Sequence, residues 1–186
     1  MADFSTYEFV VKQKSEGKWI LARLGLILLY IFYVIGLLIL GLLTRIGVPL
    51  LALIPVTLCI IIFITWRYVS VEYEYSITSG VLTFTKIFGG RSRKKIFEVT
   101  LREAVRIAPL EDEEEAARAA TYKPEKEFFG ASSLRAPDLY FMLFELDAPK
   151  SKDKRRAVFY FEATQKALHI CKYYNSSSTV VTKVSR

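Results

Sequence analysis

The sequence predicts a membrane-embedded α-helical hairpin joined to an α+β, mostly-β domain that ends in a helix. Three observations predict this. Residues 24–43 (LGLILLYIFYVIGLLILGLL) run for 20 positions without a charge, and residues 46–66 for another 21. At 1.5 Å per helical residue each stretch reaches about 30 Å, the thickness of a bilayer's hydrocarbon core. Beyond residue 69 the period changes: Val71, Tyr73, Tyr75 and Ile77 are apolar and the residues between them polar, the alternation of a half-buried strand.

Only Thr44 and Arg45 separate the two apolar stretches, so the helices form a tight antiparallel pair. Gly41 and Gly47 bracket the turn, and Pro49 suits a first helical turn. Pro55 lies inside the second helix and is expected to kink it, releasing a carbonyl near residue 51. Gly25, Gly36 and Gly41 offer places of close helix approach, although five residues separate Gly36 from Gly41 where a GxxxG motif has four. Neither stretch contains Asp, Glu, Lys, Arg or His, which argues against an ion or proton path. The first stretch is too long for a signal peptide's apolar region and no small-residue cleavage pattern follows it.

Orientation follows from the basic flanks. Lys12, Lys14, Lys18 and Arg23 precede the first helix, and Arg67, Lys86, Arg91, Arg93, Lys94 and Lys95 follow the second, whereas the turn carries only Arg45. The positive-inside rule then places both termini in the cytoplasm. Trp19 at one end and Trp66, Arg67 and Tyr68 at the other read as interfacial anchors. Residues 1–18 form a polar cytosolic N-terminal segment, in which Phe4, Tyr7, Phe9, Val10 and Val11 make a short strand or a helix lying on the membrane.

The soluble part reads as strands and turns. Residues 71–77, 81–87, 95–101 and 102–110 are strands, with turns at Ser79-Gly80 and Gly89-Gly90. Residues 111–137 form a long insertion whose acidic start, EDEEEAARAA, suits a short helix. Residues 138–147 (DLYFMLFELD) are a central strand buried on both faces, and residues 156–163 pair back onto it. Thr164 is the N-cap of a closing helix reaching Asn175, and residues 176–186 are a flexible tail.

This order carries a resemblance. Tyr75-Ser-Ile-Thr-Ser-Gly-Val-Leu, the glycine turn at Gly90, Ile96 and Val105-Arg-Ile, set after a transmembrane pair, resemble the bacterial PH-like domain of small membrane proteins. The resemblance covers residues 69–174 and gives a PH-like domain over 68–175, behind a hairpin over 19–67. It implies a bent, seven-stranded partial barrel capped by the C-terminal helix, in a protein of the bacterial inner membrane. The insertion at 111–137 departs from the compact form of that domain.

The chain carries a net charge of +7. Beside a membrane this surplus points to anionic lipid rather than to nucleic acid. Lys86, Arg91, Arg93, Lys94 and Lys95 cluster at the Gly89-Gly90 turn, and Lys150, Lys152, Lys154, Arg155 and Arg156 at a second polar turn. Both are candidate lipid or anion sites, and Lys86…Arg91-x-Arg93 resembles the loose Lys-x(n)-Arg-x-Arg pattern of eukaryotic PH domains. Phe128-Phe129 in the insertion is a candidate partner-docking pair.

No catalytic set, Walker loop or dinucleotide motif is present, and His169 is the only histidine. Cys59 and Cys171 have no zinc or disulfide spacing and read as small buried hydrophobes. The acidic run lacks the glycine and ligand spacing of a calcium loop. The sequence therefore predicts no enzyme, cofactor or metal. It predicts a membrane-anchored scaffold or adaptor that binds a protein partner, either another membrane protein or a second copy of the chain. The competing reading is an accessory subunit of a transport or export complex, its hairpin packed against partner helices.

Overall fold

A computed structural model describes residues 6–14, 16–44, 47–133, 135–147 and 154–185. The chain divides into two compact units. One contains residues 14–71 with the short turn 88–92. The other contains the β-structure of residues 1–13, 72–87 and 93–186.

In the first unit, α1 (Lys18–Leu43) and α2 (Gly47–Val69) are long and apolar enough to cross a membrane. Their side chains point outward almost all round: none of the most apolar 18-residue window of α2 is buried. A soluble core helix would bury one face. Two polar pairs join the helices. Tyr33 donates its hydroxyl to Thr57 Oγ1 at 2.7 Å, and Tyr30 bonds to Thr65 at 2.5 Å. Tyr30 and Tyr33 lie three residues apart, on one helical face. The helices come close where α1 ends and α2 begins, since a Cβ on Gly47 would stand 2.6 Å from the Gly41 carbonyl oxygen. Helix α2 continues through Pro55. Cys59, read from the sequence as a small buried hydrophobe, is exposed on α2.

Among the described residues the second unit has eight strands in two four-stranded sheets. The first sheet has the order β1-β2-β3-β4, from β1 (Thr6–Lys12), β2 (Val71–Thr78), β3 (Val81–Phe88) and β4 (Ser92–Thr100). The second has the order β5-β7-β8-β6, from β5 (Arg106–Pro109), β6 (Lys126–Phe129), β7 (Leu139–Asp147) and β8 (Lys154–Glu162). Helix α4 (Gln165–Tyr174) closes the domain. The order of helices, strands and closing helix is the one that the sequence suggested, with eight described strands in two sheets where a seven-stranded bent partial barrel was expected.

The differences have local causes. The N-terminal segment is a strand and not a surface helix: β1 pairs antiparallel with β2 from Thr6↔Thr78 to Lys12↔Glu72. The fourth strand begins late because Leu101–Glu103 wind into a 3-10 turn; the carbonyls of Leu101 and of the capping residue Ala104 accept the Asn175 side-chain amide at 2.9 and 2.8 Å. The insertion is ordered into α3 (Glu113–Tyr122) and β6. Asp112 caps α3 by accepting the Glu114 and Glu115 amides. Lys123, in the left-handed conformation at φ 50°, ends it, and β6 then pairs parallel with β8. The tail, expected to be flexible, runs beside β5. Ile107 N donates to Ser178 O, and Val180 N to Ile107 O, each at 2.8 Å. Tyr140 and Asp138 hold Thr182 and Ser185 further along.

The core is aromatic. Phe97 of β4 lies 5.4 Å from Phe84, 4.8 Å from Phe144 and 5.2 Å from Phe159 between ring centroids, so one ring touches both sheets. Strand β7 is buried from Leu139 to Phe144, as its unbroken apolar run requires. Thr164 caps α4 by accepting the Ala167 amide, and Ala167, Leu168, Ile170 and Cys171 form the buried face. Burial pushes the Cys171 thiol up to about 12, so it stays a protonated packing group.

Candidate functional site

Strands β3 and β4 carry the first basic cluster and meet at the glycine turn 88–92. Gly89 and Gly90 both take positive φ, 60° and 69°, which glycine alone adopts without strain.

In the β-structured unit the cations divide by environment. Lys86 is half-buried, with its ammonium 5.5 Å above the Tyr73 ring. Burial, then the neighbouring Lys94 charge, hold its pKa below the ordinary lysine value. Lys94 is exposed. Arg93 is paired with Glu74 at 3.1 Å, and Lys95 with Glu98. Two crowded ammonium groups make a positive surface that an anion would relieve, and Arg93 and Lys95 contribute less to it because each has its own acid.

The second cluster is less positive than the sequence suggests. Lys150 and Lys152 lie outside the described residues. Lys154 pairs with Glu145 at 3.7 Å and lines a cleft of about 390 Å³ together with Glu98, Glu103, Glu145 and Asp147. Arg156 donates to the Tyr122 carbonyl at 2.9 Å and lies over the Tyr122 ring. Arg155 is exposed.

Phe128 and Phe129 are not an exposed pair. They are half-buried in β6, where the Phe128 ring sits 4.8 Å from Phe97 and 6.3 Å from Phe144. The acidic run is also accounted for: Glu115 takes Arg106 and Arg118 as partners, and Asp112 is a cap. Among the described residues no group of three or more His, Cys, Asp or Glu is placed to hold a metal ion. His169 is exposed beside Gln165.

The hairpin unit contains a cavity of about 350 Å³ at the C-terminal end of α2. Ile62, Phe63, Trp66 and Phe88 form its apolar wall. Arg67, Arg91, Ser70 and Ser92 supply the polar part. The Arg91 guanidinium stacks 5.0 Å from the Phe63 ring centroid, and that of Arg67 lies 5.2 Å from Tyr68. Gly89 makes the turn fit, since a Cβ there would come 2.9 Å from the Arg67 Cβ. Sequence reasoning took Arg67 for an interfacial anchor and missed its place beside Arg91. The two stand 24 residues apart in the chain, so no local spacing signals the pairing.

Two four-stranded sheets closed by a helix, on a chain with two helices long and apolar enough to cross a membrane, are consistent with a PH-like module, a fold that generally serves binding rather than catalysis. Residues 5–181 match the family model described as Bacterial PH-like domain (DUF6106), and the chain belongs to that family. No curated protein and no solved structure matches it.

Proposed function

We propose that this protein is a non-catalytic scaffold or adaptor of the bacterial inner membrane, with both termini and the β-structured unit in the cytoplasm. There it binds a protein partner and touches anionic lipid through its basic turns. The observation that carries the reading is the β1–β2 ladder. Strand β1 precedes the helices and β2 follows them, yet the two pair over seven residues. Segments in one hydrogen-bonded ladder occupy one side of a bilayer, so the intervening chain crosses it an even number of times. The basic flanks select the cytoplasmic side. On that side Lys86, Lys94 and Arg155 add attraction to the anionic leaflet, about 1 kcal/mol for each cation near the surface.

Fusion of a reporter after Arg186 tests the topology. A fluorescent protein that matures in the cytoplasm is expected to be bright, and an exported phosphatase at the same place inactive. The opposite pair of results would sink the reading. The accessory-subunit reading draws support from Gly25 and Gly36, where an added Cβ would meet nothing within 4 Å. Those positions leave room for a partner helix. Gly41 does not, because it already faces Gly47. Purification in mild detergent separates the two: a polytopic partner in stable stoichiometry favours the subunit.

A further inference from the structure

We propose that the cavity at the end of α2 holds one anionic phospholipid, its phosphodiester between Arg67 and Arg91 and its acyl chains along the outer face of α2. The inference rests on the membrane-anchored reading above and names the ligand of that anchor.

Charge is the first support. Arg93, Lys95, Lys154 and Arg106 each have a carboxylate partner. Arg67 and Arg91 have none among the described residues, and no acid lines the cavity. Both guanidiniums lie near aromatic rings, an arrangement in which a ring face holds the ion while its N–H edge stays available to a phosphate. Ser70 and Ser92 add hydroxyl donors.

The second support is shape. About 350 Å³ lies at the small end of ligand pockets, roughly 300–1,000 Å³. It accommodates a glycerophosphate headgroup and leaves the chains outside. The wall continues onto Ile62 and Phe63, which are exposed on a helix of membrane-spanning length. A water-soluble phosphate would gain nothing from that apolar wall, whereas a lipid uses both parts.

A helix C-terminus carries partial negative charge and would ordinarily repel an anion. Here two of the last helical carbonyls, and the one that follows them, are engaged. Trp66 O accepts from Ser70 N at 3.2 Å, Val69 O from Arg23 at 3.1 Å, and Ser70 O from Gly89 N at 2.8 Å. The last of these bonds ties the turn that carries Arg91 to the end of α2.

Trp66 lines the cavity and serves as the probe. The full chain carrying Trp19→Phe, which leaves Trp66 as the sole tryptophan, is reconstituted in phosphatidylcholine vesicles. Phosphatidylglycerol with brominated acyl chains is then titrated in. Quenching is expected at lipid fractions well below those needed with brominated phosphatidylcholine. Arg67→Gln and Arg91→Gln should each reduce that preference about fivefold. Both positions are exposed, so neither change threatens folding. Equal quenching by the two lipids, with the protein still inserted, overturns the lipid site and leaves the anchored module standing. Displacement of the lipid by millimolar inorganic phosphate also overturns it, in favour of a free-anion site. Failure of the chain to remain in the vesicles after an alkaline wash removes the anchored reading itself.

Discussion

Phe97 and Phe128 allow a direct test of whether the aromatic residues of the insertion belong to the core or to a docking surface. Phe97 is 6% exposed, and its ring has four aromatic neighbours, in β3, β6, β7 and β8. Truncating a buried phenylalanine to alanine costs about 3–5 kcal/mol, and the lost ring pairs put Phe97→Ala at the upper end. Phe128 is half-buried and meets two of those rings, so Phe128→Ala should cost about 2 kcal/mol. Tryptophan fluorescence cannot report this, because Trp19 and Trp66 both lie in the helices. Hydrogen exchange of the β7 and β8 amides in the full chain can. At about 1.4 kcal/mol per factor of ten, protection should fall roughly 3,000-fold for Phe97→Ala and about 30-fold for Phe128→Ala. Unchanged β8 exchange in Phe128→Ala, with loss of a co-purifying partner, would refute the core assignment and restore Phe128 as a docking residue.

Two further perturbations address the β-structured unit and the hairpin. The Arg106 hydrogen bond, at 2.9 Å from Nε, is the largest cause that holds the Glu115 carboxyl below its ordinary value of 4.5, and the Arg106 and Arg118 charges add to it against the opposing effect of burial. A carboxylate depressed in the folded state stabilises it above the unfolded pKa, and the contribution is lost as pH falls through the folded one. Glu115→Gln should therefore cost about 2 kcal/mol at pH 7 and soften the decline in exchange protection below pH 4.5. An acid profile identical to the parent's would show that the pair is idle. In the hairpin, Tyr33→Phe and Thr57→Val each remove the 2.7 Å interhelical bond. A double-mutant cycle in detergent, read from the temperature at which the helices separate, should give a coupling of about 0.6 kcal/mol. Strict additivity would mean that the bond contributes nothing.

Periodicity made much of the fold legible. The alternation at Val71–Ile77, the apolar run of β7 and the Thr164 cap each act over a few residues, and the structure places a strand, a central strand and a helix start there. What escaped depends on partners far away in sequence. Lys126–Phe129 reads as loop because its strand character comes from a parallel ladder with β8, 31 residues on. Thr179 and Val180 look like tail until Ile107 supplies their hydrogen bonds. The same limit governs the site. The basic turn was visible as a turn, but its individual acids were not: Glu74 and Glu145 reach Arg93 and Lys154 across strands. Nor did any pattern place Arg91 beside Arg67, because that needs the turn 88–92 to return to the end of α2.

The ladder between β1 and β2 makes the hairpin more than a tether. A tether can be cut from its domain without loss, but these helices interrupt a sheet. Residues 6–12 pair with β2 only after the chain between them has gone out and come back, and an antiparallel helical pair brings those ends together at little entropic cost beyond its own formation. Removing everything before residue 69 would strip β2 of its neighbour and leave Tyr75 without the Phe9 ring, 5.4 Å away. It would also remove Tyr7, whose hydroxyl bonds to Thr164 at the start of α4. An unpaired edge of that kind, with apolar side chains beside it, is a template for aggregation. The hairpin is thus an insertion within the β-structured unit, whose first sheet is complete only when the segments on both sides of the helices are present.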